Sequence, residues 1–209
     1  MTTTDSVRTA TFGTLRIAYD ETVLTPRDWT TDQSRWAAEL AATVPAGRIL
    51  ELCAGAGQIG LLAVLGCDRD LVAVDLDETA CRFAAANARV AGLAERVEVR
   101  NSRLESACRE GETFPLMILD PPWVPAHQTG TFPEDPLVAI DGGADGLDVA
   151  RACLVVAAEH LAPGGRAVLQ VGTAEQVELL RADLVAGLEI TEVRVTPGRG
   201  ALALVERGA

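Results

Sequence analysis

Glu51-Leu52-Cys53-Ala54-Gly55-Ala56-Gly57 joins two apolar runs. It reads as the turn between a strand over Arg48–Cys53 and a helix that begins over Ile59–Leu65. Its small residues let the backbone approach a ligand closely, and the following helix N-terminus adds a favourable dipole. Alone the pattern is weak, because a tight turn into a packed helix has the same composition. The alternation that follows gives it weight. Leu71–Asp75 reads as a strand, Glu78–Ala91 as a helix ended by Gly92, and Val97–Arg100 and Leu116–Asp120 as further strands. Asp145 or Gly146 begins a long helix to about Leu161, closed by Pro163-Gly164-Gly165. Arg166–Val171 is the next strand, and Thr173 caps a helix to about Val185. Glu189–Thr196 and Ala201–Val205 form a terminal hairpin around Pro197-Gly198-Arg199-Gly200. Repeated strand–helix units predict an α/β fold with a doubly wound, seven-stranded, mostly parallel sheet. The closing hairpin predicts one antiparallel strand at or near an edge.

Upstream, Phe12–Ala18 and Val23-Leu24 read as a small hairpin around Asp20-Glu21, followed by a helix over Thr31–Val44. The expectation is one domain over 1–209, with 1–45 as a hairpin and helix cap on a core over 46–209. No apolar run reaches membrane-spanning length, and Met1-Thr2-Thr3-Thr4-Asp5 has neither a basic nor an apolar signal region. A soluble cytoplasmic protein is expected, with no membrane partner. The five cysteines, at 53, 67, 81, 108 and 153, form no C-x-x-C pair. Reduced, buried thiols are therefore expected, rather than disulfides or zinc. The net charge is −12, and all 18 cations are arginine. Such a balance argues against long phosphate backbones as partners, which are gripped through basic patches.

Asp120-Pro121-Pro122-Trp123 closes the strand over Leu116–Asp120. Proline cannot donate to a sheet ladder, so the strand stops there. The stop leaves an acidic acceptor, a stiff kink and a flat ring at a strand's carboxyl end, which suits a planar amine or amide held before a reactive cofactor. Asp75, with Leu76 beside it, ends the second core strand, where a carboxylate can accept both hydroxyls of a ribose. The GxGxxG dinucleotide fingerprint is broken by Cys53 and Ala56, so a pyrophosphate is not the expected ligand. A cationic sulfonium suits a loop flanked by carboxylates better.

On these residues the chain resembles the HemK/PrmC-like group of class I S-adenosylmethionine-dependent methyltransferases. The resemblance runs from about Phe12 to Val205. Phe12-Gly13, Val23-Leu24-Thr25-Pro26-Arg27 and Thr30 resemble the group's pre-core hairpin and its Pro-Arg segment near the cofactor. Glu51–Gly57 resembles the cofactor loop, Asp75 the ribose-binding acid, and Asp120–Trp123 the acceptor motif. Asp141–Asp148 and Leu161–Gly165 resemble the segments that follow. The resemblance implies a Rossmann-like methyltransferase fold and S-adenosyl-L-methionine as cofactor, with S-adenosyl-L-homocysteine as product. It places Arg27, Thr30, Glu51, Cys53, Ala54, Gly55, Gly57, Asp75, Leu76, Ser102 and Asp120 around that cofactor. Asp120, Pro121, Pro122 and Trp123 become the catalytic segment. By position alone, Trp29 reads equally as a wall of the acceptor pocket or as a residue outside it, and His127 as the group that takes the proton lost on transfer or as an exposed loop histidine; with Trp123 they are the candidate acceptor side. Four positions depart from the group. Cys53 stands at the first loop glycine, Ser102 where an acidic residue often meets the adenine amine, and Asp120 and Trp123 where the group has Asn and Tyr. The group's helical N-terminal substrate-gripping domain is not expected in this chain.

Ionised Asp120 accepts hydrogen bonds only, so two N–H donors of an amino group would point at it and at the Pro121 carbonyl. The nitrogen lone pair would then face the cofactor, and positioning of this kind supplies about 7–11 kcal/mol of a barrier. The Asn-to-Asp change shifts the expected acceptor toward an amine without excluding an amide. Trp123 would stack on a flat acceptor or over a developing cation. Asp141, Asp145 and Asp148 fail the EF-hand spacing and read as a helix cap with an acidic first turn, so no metal is expected. His160 sits in a helix's last turn, and His127 in the Pro-rich segment 124–139, a length at which loops often act as lids. Trp36 reads as core. The first functional reading is an N-methyltransferase acting on a protein side chain or small metabolite. The alternatives are methylation of an exocyclic amine in nucleic acid, and cofactor binding without catalysis.

Overall fold

The computed structural model describes residues 7–208. Residues 1–6 and 209 lie outside that description, and with them the expectation about the N-terminal signal region.

A two-stranded antiparallel hairpin, β1 (Arg8–Phe12) and β2 (Leu15–Tyr19), opens the chain. Its turn is Gly13-Thr14, and not the expected Asp20-Glu21. Gly13 takes φ 57, which only glycine adopts without strain. A Cβ there would also lie 2.8 Å from a methyl of Leu62. Asp20 instead folds its own backbone, its Oδ1 accepting from Thr22 N at 2.9 Å and Thr22 Oγ1 at 2.7 Å. Helix α1 (Thr31–Ala41) follows, ending three residues earlier than expected.

The core alternates as its apolar runs predict. It contains β3 (Ile49–Leu52), α2 (Gln58–Leu65), β4 (Leu71–Asp75), α3 (Glu78–Val90) and β5 (Val97–Asn101). It continues through β6 (Phe114–Leu119), the one-turn α4 (Leu137–Ile140), α5 (Asp148–His160), β7 (Leu161–Val171) and α6 (Ala174–Ala182). It closes on the hairpin β8 (Leu188–Thr196) and β9 (Gly200–Arg207). The strands form one seven-stranded sheet in the order β5-β4-β3-β6-β7-β9-β8. The pairings among β5, β4, β3, β6 and β7 are parallel, while β9 runs antiparallel to both β7 and β8, one strand in from the edge.

Both faces of the sheet are covered, so its central strands are apolar throughout rather than alternating. All six residues of β6 are buried. Leu116 and Ile118 join the cluster under α1, α2, α3 and the hairpin, while Met117 and Leu119 join the one under α5 and α6. The period of two splits one hydrophobic run between two cores.

Two boundaries moved for local reasons. The Pro163-Gly164-Gly165 turn stays inside β7, because the ladder jumps from Phe114↔Leu161 to Leu116↔Arg166 across Pro115, which has no N–H to give. Helix α5 starts at Asp148, because Gly146 sits at φ 80, outside the helical region. Asp145 does not cap the helix through its own position; its Oδ1 accepts from Leu147 N at 3.0 Å.

The chain lays down β4 and β5 on one side of β3, then returns to place β6 and β7 on the other. The order reverses between β3 and β6, and a crevice opens at their carboxyl ends. The two segments singled out in the sequence, Cys53–Gly57 and Asp120–Trp123, leave those two ends. No helix among the described residues is long and apolar enough to cross a membrane.

Candidate active site

Leaving β3, the backbone turns at Cys53, the one non-glycine residue with positive φ, 60°, among those described. This left-handed conformation is the one a glycine takes freely, which accounts for a glycine in the resembling loops. The turn tightens through Gly57 N to Ala54 O at 2.8 Å, and Ala54 N reaches across to Val74 O on β4 at 3.0 Å. Gly55 and Gly57 take φ 54 and 81. Contact with the Cys153 thiol, together with burial, holds the Cys53 thiol well above its usual range, so it stays protonated.

Behind this loop, Glu51 is buried on β3 and accepts from Gly60 N at 2.8 Å. Desolvation pushes its carboxyl up to about 8, so it is a neutral acid at neutral pH. A Cβ on Gly60 would meet Glu51, which leaves glycine alone able to pack there. Glu51, Ala54 and Gly57 line neither of the chambers described below.

Asp75 ends β4 with both oxygens engaged by backbone. Oδ2 accepts from Gly55 N at 2.7 Å and Oδ1 from Asp77 N at 2.9 Å. Each oxygen keeps a second lone pair for a ligand. Burial pushes this carboxyl upward, against the pull of those N–H groups. Around Asp75 a cavity of about 770 Å³ extends between the loops that follow β3, β4, β5 and β6. Cys53, Gly55, Asp75, Leu76, Ser102, Asp120 and Pro122 line it, with Leu104 and Val149 among its apolar walls. Its volume lies within the usual span of small-molecule sites, about 300–1,000 Å³.

A second cavity of about 230 Å³ shares Asp120 with the first. Arg27, Trp29, Thr30, Pro121, Trp123, Phe132, Glu134 and Asp135 are among its walls. Arg27 and Thr30, expected beside the cofactor, thus wall this smaller chamber and not the larger one. Arg27 donates to Asp135 at 2.6 Å and lies 5.7 Å over the Trp29 ring, tying the 124–139 segment to the pre-core segment. That segment is partly ordered by its own turns, a 3-10 helix over Ala126–Thr131 and α4. His127 is exposed within the first of these and lines neither chamber.

Asp120 belongs to both chambers. Burial alone pushes its carboxyl up to about 7. Trp123 is seated by two glycines: a Cβ on Gly172 would come within 2.4 Å of its ring, and one on Gly146 within 2.4 Å of its carbonyl oxygen. Gln176 completes the seat, donating to Trp123 O at 3.0 Å and Asp145 O at 3.1 Å while its Oε1 accepts from Gly172 N at 2.8 Å.

Several residues of this site had no reading in the sequence. Gln58 lines both chambers, and its signal was available: it is the single polar residue of an otherwise apolar helix. Gln176 gave no signal, since it sits in an ordinary amphipathic stretch. Asn87, on the buried face of α3, accepts from Ala18 N at 2.8 Å and donates to Ala56 O at 3.0 Å, pinning the hairpin to the cofactor loop.

A doubly wound sheet, a glycine-bearing turn after its first core strand, an acid ending the second and an Asp-Pro-Pro-Trp turn at the switch point are features that the chain shares with the class I methyltransferase fold. Residues 2–132 match the model of the family described as Conserved hypothetical protein 95, and the chain belongs to that family. The ribosomal protein uL3 glutamine methyltransferase of Bradyrhizobium diazoefficiens is 36% identical over 135 residues, 62% of this chain and 42% of that protein. The release factor glutamine methyltransferase of Cereibacter sphaeroides is 34% identical over 167 residues, 76% of this chain and 58% of that protein. The chain spans about half the length of the curated relatives it matches. Among solved structures, the ribosomal protein L11 methylase of Lactobacillus delbrueckii subsp. bulgaricus superposes with a TM-score of 0.65 at 14% identity, over 90% of this chain and 82% of that one.

Proposed function

We propose that the chain transfers a methyl group from S-adenosylmethionine to the nitrogen of a protein side-chain amide. The observation that carries this reading is the meeting of two chambers of different size and chemistry at one carboxylate, Asp120. The larger chamber fits the cofactor in volume, and it opens on carboxylates at Asp75 and Asp120 that favour a cation. S-adenosylmethionine, when bound, supplies an electrophilic methyl on a positively charged sulfur. Asp75 would take the ribose hydroxyls on its free lone pairs, while Leu76, Ser102 and Leu104 flank the base. Gly55 lets the loop approach the rest of the cofactor closely.

On the other side, Asp120 accepts an N–H of the incoming group and turns its lone pair toward the larger chamber. Trp29 and Trp123 offer flat apolar surface to a planar acceptor. The amide, rather than the amine that an acid in place of asparagine suggests, is supported by the names of the relatives, which are glutamine methyltransferases. A net charge of −12 speaks against a nucleic-acid acceptor.

The test is transfer of labelled methyl from S-adenosylmethionine into fractionated lysate, followed by acid hydrolysis of the labelled material. Label in protein that is released as methylamine by hydrolysis is the expected result. Label in nucleic acid or in the small-molecule fraction would overturn the protein acceptor, and calorimetry showing no binding at millimolar cofactor would overturn the enzyme reading.

A further inference from the structure

Four residues wall both chambers: Leu24, Gln58, Asp120 and Ala139. Two are apolar and one is Asp120. The fourth, Gln58, is the first residue of α2 and only 8% exposed. Its Oε1 is buried with no hydrogen-bond partner among the described residues. Buried side-chain amides are nearly always engaged, so an idle one at a chamber junction is a group set aside for a ligand. Its Nε2 and Oε1 lie 3.9 and 4.0 Å from where a Cβ on Gly55 would sit, so the amide stands edge-on beside the cofactor loop.

Asp120 alone is an incomplete host for a carboxamide. Beside a cationic cofactor Asp120 ionises, and an ionised carboxylate takes N–H groups but offers nothing to the acceptor's carbonyl oxygen. An asparagine at 120 would carry both functions on one side chain. Here the acid carries only one, and a glutamine amide stands across the same junction. Its Oε1 faces inward, whereas its Nε2 is not among the buried atoms and has no hydrogen-bond partner among the described residues, so the N–H head is the one open to the junction.

We infer that Gln58 is an acceptor-binding residue whose amide donates to the carbonyl of the incoming group while Asp120 accepts its N–H, so that the pair selects a primary carboxamide over an amine. This rests on the methyltransferase reading above. The division of labour moves one hydrogen-bonding function of the acceptor motif from the end of β6 to the start of α2, two elements that meet only in the folded chain.

Calorimetry with three probes tests it. One is S-adenosylhomocysteine. The other two are adenosine conjugates in which a nitrogen replaces the sulfur and carries either a short carboxamide arm or the matching amine arm. The wild-type protein is expected to bind the carboxamide conjugate more tightly than the amine one. Gln58→Leu should lose that preference by about tenfold, a larger change than in its S-adenosylhomocysteine affinity. Gln58→Met keeps the length and removes the donor without adding a charge, and should lose the preference equally, which separates hydrogen bonding from packing. Absence of the preference in the wild type, its survival in both variants, or an equal loss for S-adenosylhomocysteine would overturn the assignment while leaving the methyltransferase reading in place. Failure of the wild-type protein to bind S-adenosylhomocysteine would overturn both.

Discussion

The turns after β3 and β6 lie side by side at the switch point of the sheet, yet they are built by opposite means. The first is backbone. Cys53, Gly55 and Gly57 take positive φ, and the loop's own N–H and C=O groups bond to one another, to β4 and to the side chains of Asp75 and Asn87. The second is side chain. Asp120 and Trp123 are placed by proline stiffness, by two glycines arriving from distant segments and by the amide of Gln176, 53 residues away. A backbone-built site presents nearly the same surface whatever surrounds it, which suits one invariant cofactor. A side-chain-built site changes with single substitutions, which suits acceptors that differ between relatives.

The largest expected break between the two halves is at Asp120. Asp120→Ala should lower turnover about 100-fold, through loss of acceptor positioning, while affinity for the neutral product S-adenosylhomocysteine changes by less than about threefold. Steady-state kinetics beside calorimetry measures both. Unchanged turnover would remove Asp120 from the acceptor side.

Gly172→Ala should break only the second half. Its Cβ would arrive 2.4 Å from the Trp123 ring, so the indole must move. The expected cost is about 1–3 kcal/mol of stability, together with a several-fold rise in acceptor KM. Cofactor affinity should hold. Thermal unfolding and a KM-against-Kd comparison read this, and a cofactor affinity that falls in step with acceptor KM would show the two turns to be coupled.

The smallest effect is in pH, and it sharpens how the halves communicate. Burial pushes Asp120 up to about 7 from its ordinary 3.8, so the free protein holds it neutral below that pH. Ionised Asp120 faces a cationic cofactor, whose binding lowers the carboxyl's pKa. Affinity for S-adenosylmethionine should therefore rise several-fold as pH increases through about 7. The neutral product S-adenosylhomocysteine should show a flatter profile, and Asp120→Asn should flatten both. Affinity that falls over the same range would mean that the carboxyl binds in its neutral form.

Legibility followed the same division. The strand–helix alternation, the seven strands and the antiparallel β9 were all readable, because each rests on apolar runs and turn residues a few positions apart. So was the first loop, whose small residues and acid lie within one strand–helix–strand unit. The acceptor side was readable only at Asp120–Trp123 itself. Arg27 and Thr30 wall the smaller chamber, where Arg27 meets Asp135, 108 residues further on, and nothing local in either segment announces that pair. His127 looked attractive beside the motif, but its 3-10 turn carries it outward. The first hairpin was misplaced because Asp20-Glu21 looks like a turn, whereas Gly13 fits the crowded space against Leu62.

By itself, then, the sequence determined the doubly wound sheet, the position of its crevice and the presence of an acid, a kink and a ring at the end of β6. Periodicity and turn chemistry act over a few residues and are written directly in the chain. Only the tertiary structure decided that Asp120 lines two chambers, that glycines 146 and 172 seat Trp123, and that Gln58 shares the junction. Those facts depend on which distant surfaces the packing of two apolar cores brings together, and no local pattern carries that information.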